Sequence, residues 1–280
     1  MAELALQFDR LSFVAAMPES CPQGTHPCSV APGPHNDLMP TQDGPTRVVI
    51  VAGAGSSAEF VQRSFPAMPG IADEVIAIAE HGGSQEVVAD CLGEQVVRAR
   101  EQRVRIILGG ISFGAHASAA YVLSAPRQAL PDGLACVMPA WTGEPGPVAA
   151  ATLATAHRLR VQGVGAVLAE LTAAFGSDWV VEELARAWQQ RHAGSLAAEL
   201  SAVAACPSPT LARLRQIGLP TAVVALRGDP MHPAEVATAW ASAIPGASLV
   251  ALDREDLAAD RALLGQAALR SLQRPASASR

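Results

Sequence analysis

From residue 47 onward, short and nearly unbroken apolar runs alternate with stretches whose apolar positions recur every three or four residues. The runs 47–52 (RVVIVA), 75–79 (VIAIA), 104–109 (VRIILG), 134–139 (LACVMP), 221–226 (TAVVAL) and 248–252 (SLVAL) predict strands. Because they are continuously apolar rather than alternating, they predict strands covered on both faces, as in a parallel sheet. Helical periodicity predicts helices at about 57–65, 86–100, 113–124, 233–243 and 260–273. Strand and helix in alternation define an α/β class, a mostly parallel sheet of about six core strands flanked by helices. Between Trp141 and Pro220 the strand-like runs stop, while helical periodicity continues through 147–173, 178–191, 194–204 and a short segment near 209–216. The expected organisation is therefore a core of residues 46–140 and 219–275, interrupted by an all-helical insertion at 141–218.

Residues 1–45 break the pattern. Pro18, Pro22, Pro27, Pro32, Pro34 and Pro40 punctuate them, and only Leu11–Ala16 forms an apolar run. Proline at that density predicts a poorly ordered extension, not an interior element. Cys21, Cys28, His26 and His35 fall there, but a C-x6-C spacing with intervening prolines is unlike a structural zinc site, and no metal is expected.

Composition narrows the chemistry. Aromatic residues make up only 4% of the 280, so Ala, Val and Leu must fill the core. All 20 basic residues are arginine; without a lysine, neither Schiff-base chemistry nor a Walker phosphate site is available. A net charge of −6, dispersed along the chain, gives no basic stripe for nucleic acid or an acidic membrane surface. A small-molecule substrate is the expected partner, and the oligomeric state is left open. Cys21, Cys28, Cys91, Cys136 and Cys206 show no C-x-x-C spacing, which fits a reduced compartment. Residues 1–10 carry two acids and no long apolar region, and no run reaches the length of a membrane span, so a cytoplasmic protein is expected.

Two glycine-rich turns carry the candidate chemistry. The first strand leads into Gly53-Ala54-Gly55-Ser56-Ser57-Ala58, a G-x-G-x-x-A pattern, and Glu80 ends the second. That arrangement also opens a dinucleotide site, with pyrophosphate on the helix N-terminus and the acid on a ribose hydroxyl. The third strand leads into Gly110-Ile111-Ser112-Phe113-Gly114 and then a helix of small residues. Here the glycines let strand and helix approach while the serine hydroxyl stands above the sheet.

This strand-turn-helix around Ser112 resembles the nucleophile elbow, G-x-S-x-G, of the α/β-hydrolase superfamily, and more narrowly the small α/β-hydrolase-like proteins of GC-rich bacteria. The resemblance implies the α/β-hydrolase fold with the insertion as a lid, and Ser112 as nucleophile. It further implies the backbone N–H groups of Ala54 and Phe113 as the oxyanion hole, with Ala52 standing where the family has a histidine. Asp229, in Arg227-Gly228-Asp229-Pro230-Met231-His232-Pro233, falls where the family places its triad acid. The family's base follows the last strand, but here that strand is followed by Asp253-Arg254-Glu255-Asp256, and no histidine occurs after His232. The expectation is thus an incomplete triad. His232 is the candidate substitute base, His116 is expected to be structural, and His157 and His192 are expected on the lid. Trp141, Trp179 and Trp188 are expected either to pack lid on core or to line an apolar substrate pocket under the lid, and Trp141 and His81 are the candidate pocket residues. A serine-dependent esterase, thioesterase or acyl-transfer enzyme for a small, largely apolar substrate follows, with no metal or organic cofactor. The alternatives are a hydrolase-fold protein working as a ligand binder, lyase or cyclase of natural-product metabolism, and a dinucleotide-binding protein.

Overall fold

A computed structural model describes residues 44–176 and 178–273; the expectations for the N-terminal extension, including Cys21, His26, Cys28 and His35, lie outside them. Six strands form one sheet in the order β2-β1-β3-β4-β5-β6. They are β1 (Thr46–Val51), β2 (Glu74–Ile78), β3 (Arg105–Ile111), β4 (Gly133–Val137), β5 (Thr221–Arg227) and β6 (Ser248–Asp253). Every pairing is parallel. The order reverses beside β1, so the segments that leave β1 and β3 depart to opposite faces of the sheet, and the crevice between them is where open α/β sheets place their ligands.

The central strands are covered on both faces, as their apolar runs predict. Alternate residues of β1 feed opposite layers: Val49 and Val51 belong to the layer that holds Leu92, Leu108, Phe113 and Trp240, while Val48 and Ile50 belong to the one that holds Phe60, Phe65, Ile107 and Leu264. The first layer comes from helices α2 (Gln85–Gln102), α3 (Phe113–Ser124) and α8 (Ala234–Ala243); the second comes from α1 (Ala58–Ser64) and α10 (Leu263–Gln273). The expectation of full coverage fails at the two edge strands. β2 and β6 are only partly buried, and Leu249 is 42% exposed, because an edge strand has one strand neighbour and thinner helical cover.

The helical insertion lies between β4 and β5. It comprises α4 (Pro147–Phe175), α5 (Trp179–Trp188), α6 (Ala193–Ala204) and the single turn α7 (Leu211–Leu214). The continuous helix expected at 147–173 is broken at Gly163, whose φ of 81° and ψ of 170° are not helical; a residue without Cβ permits that break. Ala156, Leu159, Val167, Trp188, Leu196 and Leu200 give the insertion a small core of its own, against which Ala54 packs. One element escapes the sequence pattern. The acidic stretch after β6 forms a short helix, α9 (Arg254–Ala259), so the helix expected at 260–273 begins only at Leu263. Among the described residues no helix is long and apolar enough to cross a membrane.

Candidate active site

Ser112 joins β3 to α3 with φ 57° and ψ −117°. A non-glycine residue there is strained, at a cost of about 1–3 kcal/mol, and persists only where its surroundings impose it. The surroundings are tight. A Cβ on Gly110 would lie 2.1 Å from the Gly114 carbonyl carbon, and one on Gly114 would lie 2.1 Å from the Val51 carbonyl oxygen. Strand, turn and helix therefore touch backbone to backbone, and only glycine fits at both positions. The Ser112 N–H donates to the Val137 carbonyl at 2.9 Å, tying the turn to β4. Its side chain makes no capping bond to α3 and the residue is half-buried, so the hydroxyl is not consumed by its own helix.

The loop after β1 runs alongside. A Cβ on Gly53 would meet Ser112 Cβ at 3.3 Å, so the following residue, Ala54, starts beside the serine. The Gly53 carbonyl accepts from the Ser56 N–H at 3.0 Å. In a planar trans peptide the N–H points opposite to the carbonyl, so the Ala54 N–H faces away from that bond. Phe113 is the first residue of α3, and the first N–H groups of a helix have no partner within it.

Asp229 follows Gly228, which turns the chain at the end of β5 with φ 79°. One carboxylate oxygen accepts from the Met231 N–H at 2.8 Å and the His232 N–H at 3.2 Å. The other lies 3.4 Å from His232 Nδ1, an ion-pair distance without the alignment of a hydrogen bond. Burial works to raise this carboxyl, but the His232 ring, the Met231 N–H and the Arg254 guanidinium outweigh it and hold the group at about 2. Asp229 is thus an anion at neutral pH.

The other described histidines have their nitrogens differently engaged. His116 is buried; its Nε2 accepts from the Ala140 N–H at 3.0 Å, and burial followed by the nearby His232 lowers its pKa to about 3. It packs edge-on against Trp141, whose indole Nε1 is buried without a partner. His81, also buried, sits across β1 from Ser112. Its Nδ1 accepts from the Gly83 N–H and its Nε2 lies 3.2 Å from the Ala52 carbonyl, so both nitrogens face main chain while the ring packs on Phe113. Burial pushes its pKa down. His157 is exposed on α4, and His192 caps α6 through Nδ1.

Three polar contacts escaped the sequence reading. At the position after β6 where a histidine was sought, Arg254 binds Asp178, the N-cap of α5, through two bonds of 2.5 and 2.7 Å and lies 5.6 Å from the Trp179 ring centre. Glu199 on α6 is buried at 2% exposure, accepts from the Gly55 N–H at 2.7 Å and pairs with Arg191 at 2.5 Å. Trp188 on α5 donates through Nε1 to the Gly55 carbonyl at 2.8 Å. A signal existed for Glu199: it falls among Leu196, Leu200 and Val203 on the apolar stripe of α6, where an isolated charge needs a partner. Two clefts, of about 280 Å³ beside α10 and about 250 Å³ beside α7, do not include Ser112 in their walls.

No family model and no curated protein matches the sequence. The chain is similar in structure to a bromoperoxidase from Bacillus anthracis (16% identity, 83% of this chain and 94% of that one, TM-score 0.63). It is also similar to MenH from S. aureus (15% identity, 79% and 88%, TM-score 0.60) and to an esterase from Exiguobacterium antarcticum (14% identity, 82% and 93%, TM-score 0.60). Identities this low carry the fold and not the chemistry.

Proposed function

We propose that this chain, which has the α/β-hydrolase fold, is a serine-dependent acyl-transfer enzyme acting on a small, largely apolar carboxylic ester or thioester. The observation that carries the reading is the strained backbone of Ser112 at the carboxyl end of β3, beside the loop after β1 and flanked by two glycines that leave no room for a Cβ. A fold retains strain of that kind at positions that use it.

In this reading Ser112 Oγ attacks the acyl carbon, and His232 Nε2 takes its proton. Asp229, ionised and facing Nδ1, orients the ring and stabilises its cation. Negative charge forming on the acyl oxygen falls to the N–H groups of Ala54 and Phe113. The carbon–oxygen or carbon–sulfur bond to the leaving group then breaks, His232 returns the proton to the departing alcohol or thiol, and water or a second acceptor releases the acyl group from Ser112. His232 is favoured as base because His116 Nε2 and both ring nitrogens of His81 are committed to main chain and the two pKa values are lowered. Ser112 and Asp229 end strands separated only by β4, a span of about 10 Å that an imidazole can bridge. The substrate class draws on the esterase among the similar folds.

Arg254 supports a second reading, a hydrolase-fold ligand binder or non-hydrolytic lyase or cyclase. It stands directly after β6 and is committed to Asp178, so the cation there cannot act as a base at neutral pH. The dinucleotide reading has weaker support, since the Gly55 N–H that would face a pyrophosphate is taken by Glu199.

A fluorophosphonate probe separates the first two. Wild type should be labelled, Ser112→Ala should not, and His232→Ala should label about 100-fold or more slowly. Folded wild type that resists labelling refutes the acyl-enzyme reading in favour of the second; unchanged labelling of His232→Ala removes that residue as base.

A further inference from the structure

We infer that Glu199 and Trp188 are positioning residues that hold the Gly53–Ser56 turn in its anion-binding shape, so that docking of the helical insertion and formation of the oxyanion hole are one event. The inference rests on the serine-enzyme reading for its catalytic consequence, but its structural content stands on three consecutive peptides. The Gly53–Ala54 peptide is fixed at its carbonyl by the Ser56 N–H at 3.0 Å. The Ala54–Gly55 peptide is fixed at its N–H by Glu199 Oε1 at 2.7 Å. The Gly55–Ser56 peptide is fixed at its carbonyl by Trp188 Nε1 at 2.8 Å. Only the first of these anchors belongs to the turn itself; the other two come from residues 133 and 144 positions away, on α5 and α6.

A short turn rich in glycine has little intrinsic preference for one peptide orientation. Without the insertion's two anchors the turn keeps only the bond from the Ser56 N–H to the Gly53 carbonyl: the Ala54–Gly55 peptide between them loses its tie, and the Ala54 N–H beside Ser112 is held less firmly. The chain accommodates the anchors at a cost. Gly55 has φ +69°, and a Cβ there would lie 2.9 Å from Trp188 Nε1. Glu199 is a carboxylate at 2% exposure, flanked by Leu196 and Leu200 and balanced by Arg191 at 2.5 Å. Taking a carboxylate out of water costs several kcal/mol even when paired, and an apolar residue would pack the same stripe more cheaply. What an apolar residue cannot do is accept the Gly55 N–H.

The test uses the full chain, ¹⁵N-labelled, in wild type and in the variants Glu199→Ala, Glu199→Gln and Trp188→Phe, with a short-chain activated ester as substrate. Glutamine keeps an acceptor for Gly55, and phenylalanine keeps the ring while removing its N–H. Glu199→Ala should shift the Ala54 and Gly55 amide resonances and speed Gly55 hydrogen exchange, with kcat falling about 10- to 100-fold while KM stays within about threefold. Glu199→Gln should restore the amide positions and most of kcat. Should Glu199→Ala fail to fold, Trp188→Phe carries the test, with the same amides expected to move and kcat expected to fall about 5- to 20-fold. The inference is overturned if the Ala54 and Gly55 amides keep their wild-type positions in these variants, or if they move while kcat does not. A wild type that neither turns over ester nor labels at Ser112 defeats the serine-enzyme reading alone; the amide measurements then still decide whether the insertion shapes the turn.

Discussion

Protonation of His116 should destabilise the protein steeply between pH 7 and pH 5. The ring is buried under Trp141 and Trp240, its Nε2 lone pair is occupied by the Ala140 N–H, and its pKa falls from 6.5 to about 3. The folded protein therefore keeps it neutral where the unfolded chain protonates it. A depressed histidine contributes stability that is complete above the unfolded value of 6.5 and is lost as pH falls towards about 3. Within that window the unfolded state binds one more proton, so stability drops by about 1.4 kcal/mol per pH unit, or about 2 kcal/mol between pH 7 and pH 5. Urea denaturation of wild type and of His116→Gln at pH 7, 6 and 5 measures it. His116→Gln should be less stable than wild type at pH 7 and lose about 2 kcal/mol less on going to pH 5, because the buried His81 and any other titrating group remain in both proteins. Parallel pH dependences for the two proteins would refute the assignment, and would reopen His116 as a candidate base despite its bond to Ala140.

Replacing Ser112 by glycine relieves its backbone strain, whereas alanine does not. Set against the entropy that glycine loses on folding, Ser112→Gly should melt higher than Ser112→Ala, by about 1 kcal/mol in stability, though neither is labelled by a fluorophosphonate; equal stability would show that Ser112 is unstrained. Gly114→Ala forces a Cβ against the Val51 carbonyl, an atom that cannot step aside, and should cost at least about 3 kcal/mol in a denaturant titration. A Gly114→Ala protein of wild-type stability would mean the turn at Ser112 is looser than its geometry states. Arg254→Gln leaves Asp178, itself only 20% exposed, without its cation, and should cost about 1–3 kcal/mol while exposing the segment before α5 to limited proteolysis. Unchanged cleavage kinetics would argue that the Arg254–Asp178 pair does not secure the insertion.

The sequence by itself determined the frame. Continuous apolar runs placed all six strands, the four central ones because cover on both faces leaves no room for polar alternation, and the interruption between β4 and β5 placed the insertion. The tight turn at Ser112 was legible too: Gly110 and Gly114 around it are a local requirement, set by contacts within a dozen residues and with β1 directly alongside. The glycine turn that carries Asp229 past the end of β5 is local as well. What only the tertiary structure decided is the standing of each polar group. His81, His116 and His232 are equivalent in composition, yet burial and main-chain donors neutralise the first two while Asp229 faces the third. Arg254 reads as one charge in an acidic stretch until Asp178, 76 residues earlier, comes to meet it. Glu199 reads as an oddity on an apolar stripe until it meets the Gly55 N–H. Strand and turn propensities act through neighbours in sequence, whereas hydrogen-bond partners and desolvation are fixed by whatever the fold brings within 3 Å or so. The serine's position is therefore written locally, and its electrostatic company is written only in three dimensions.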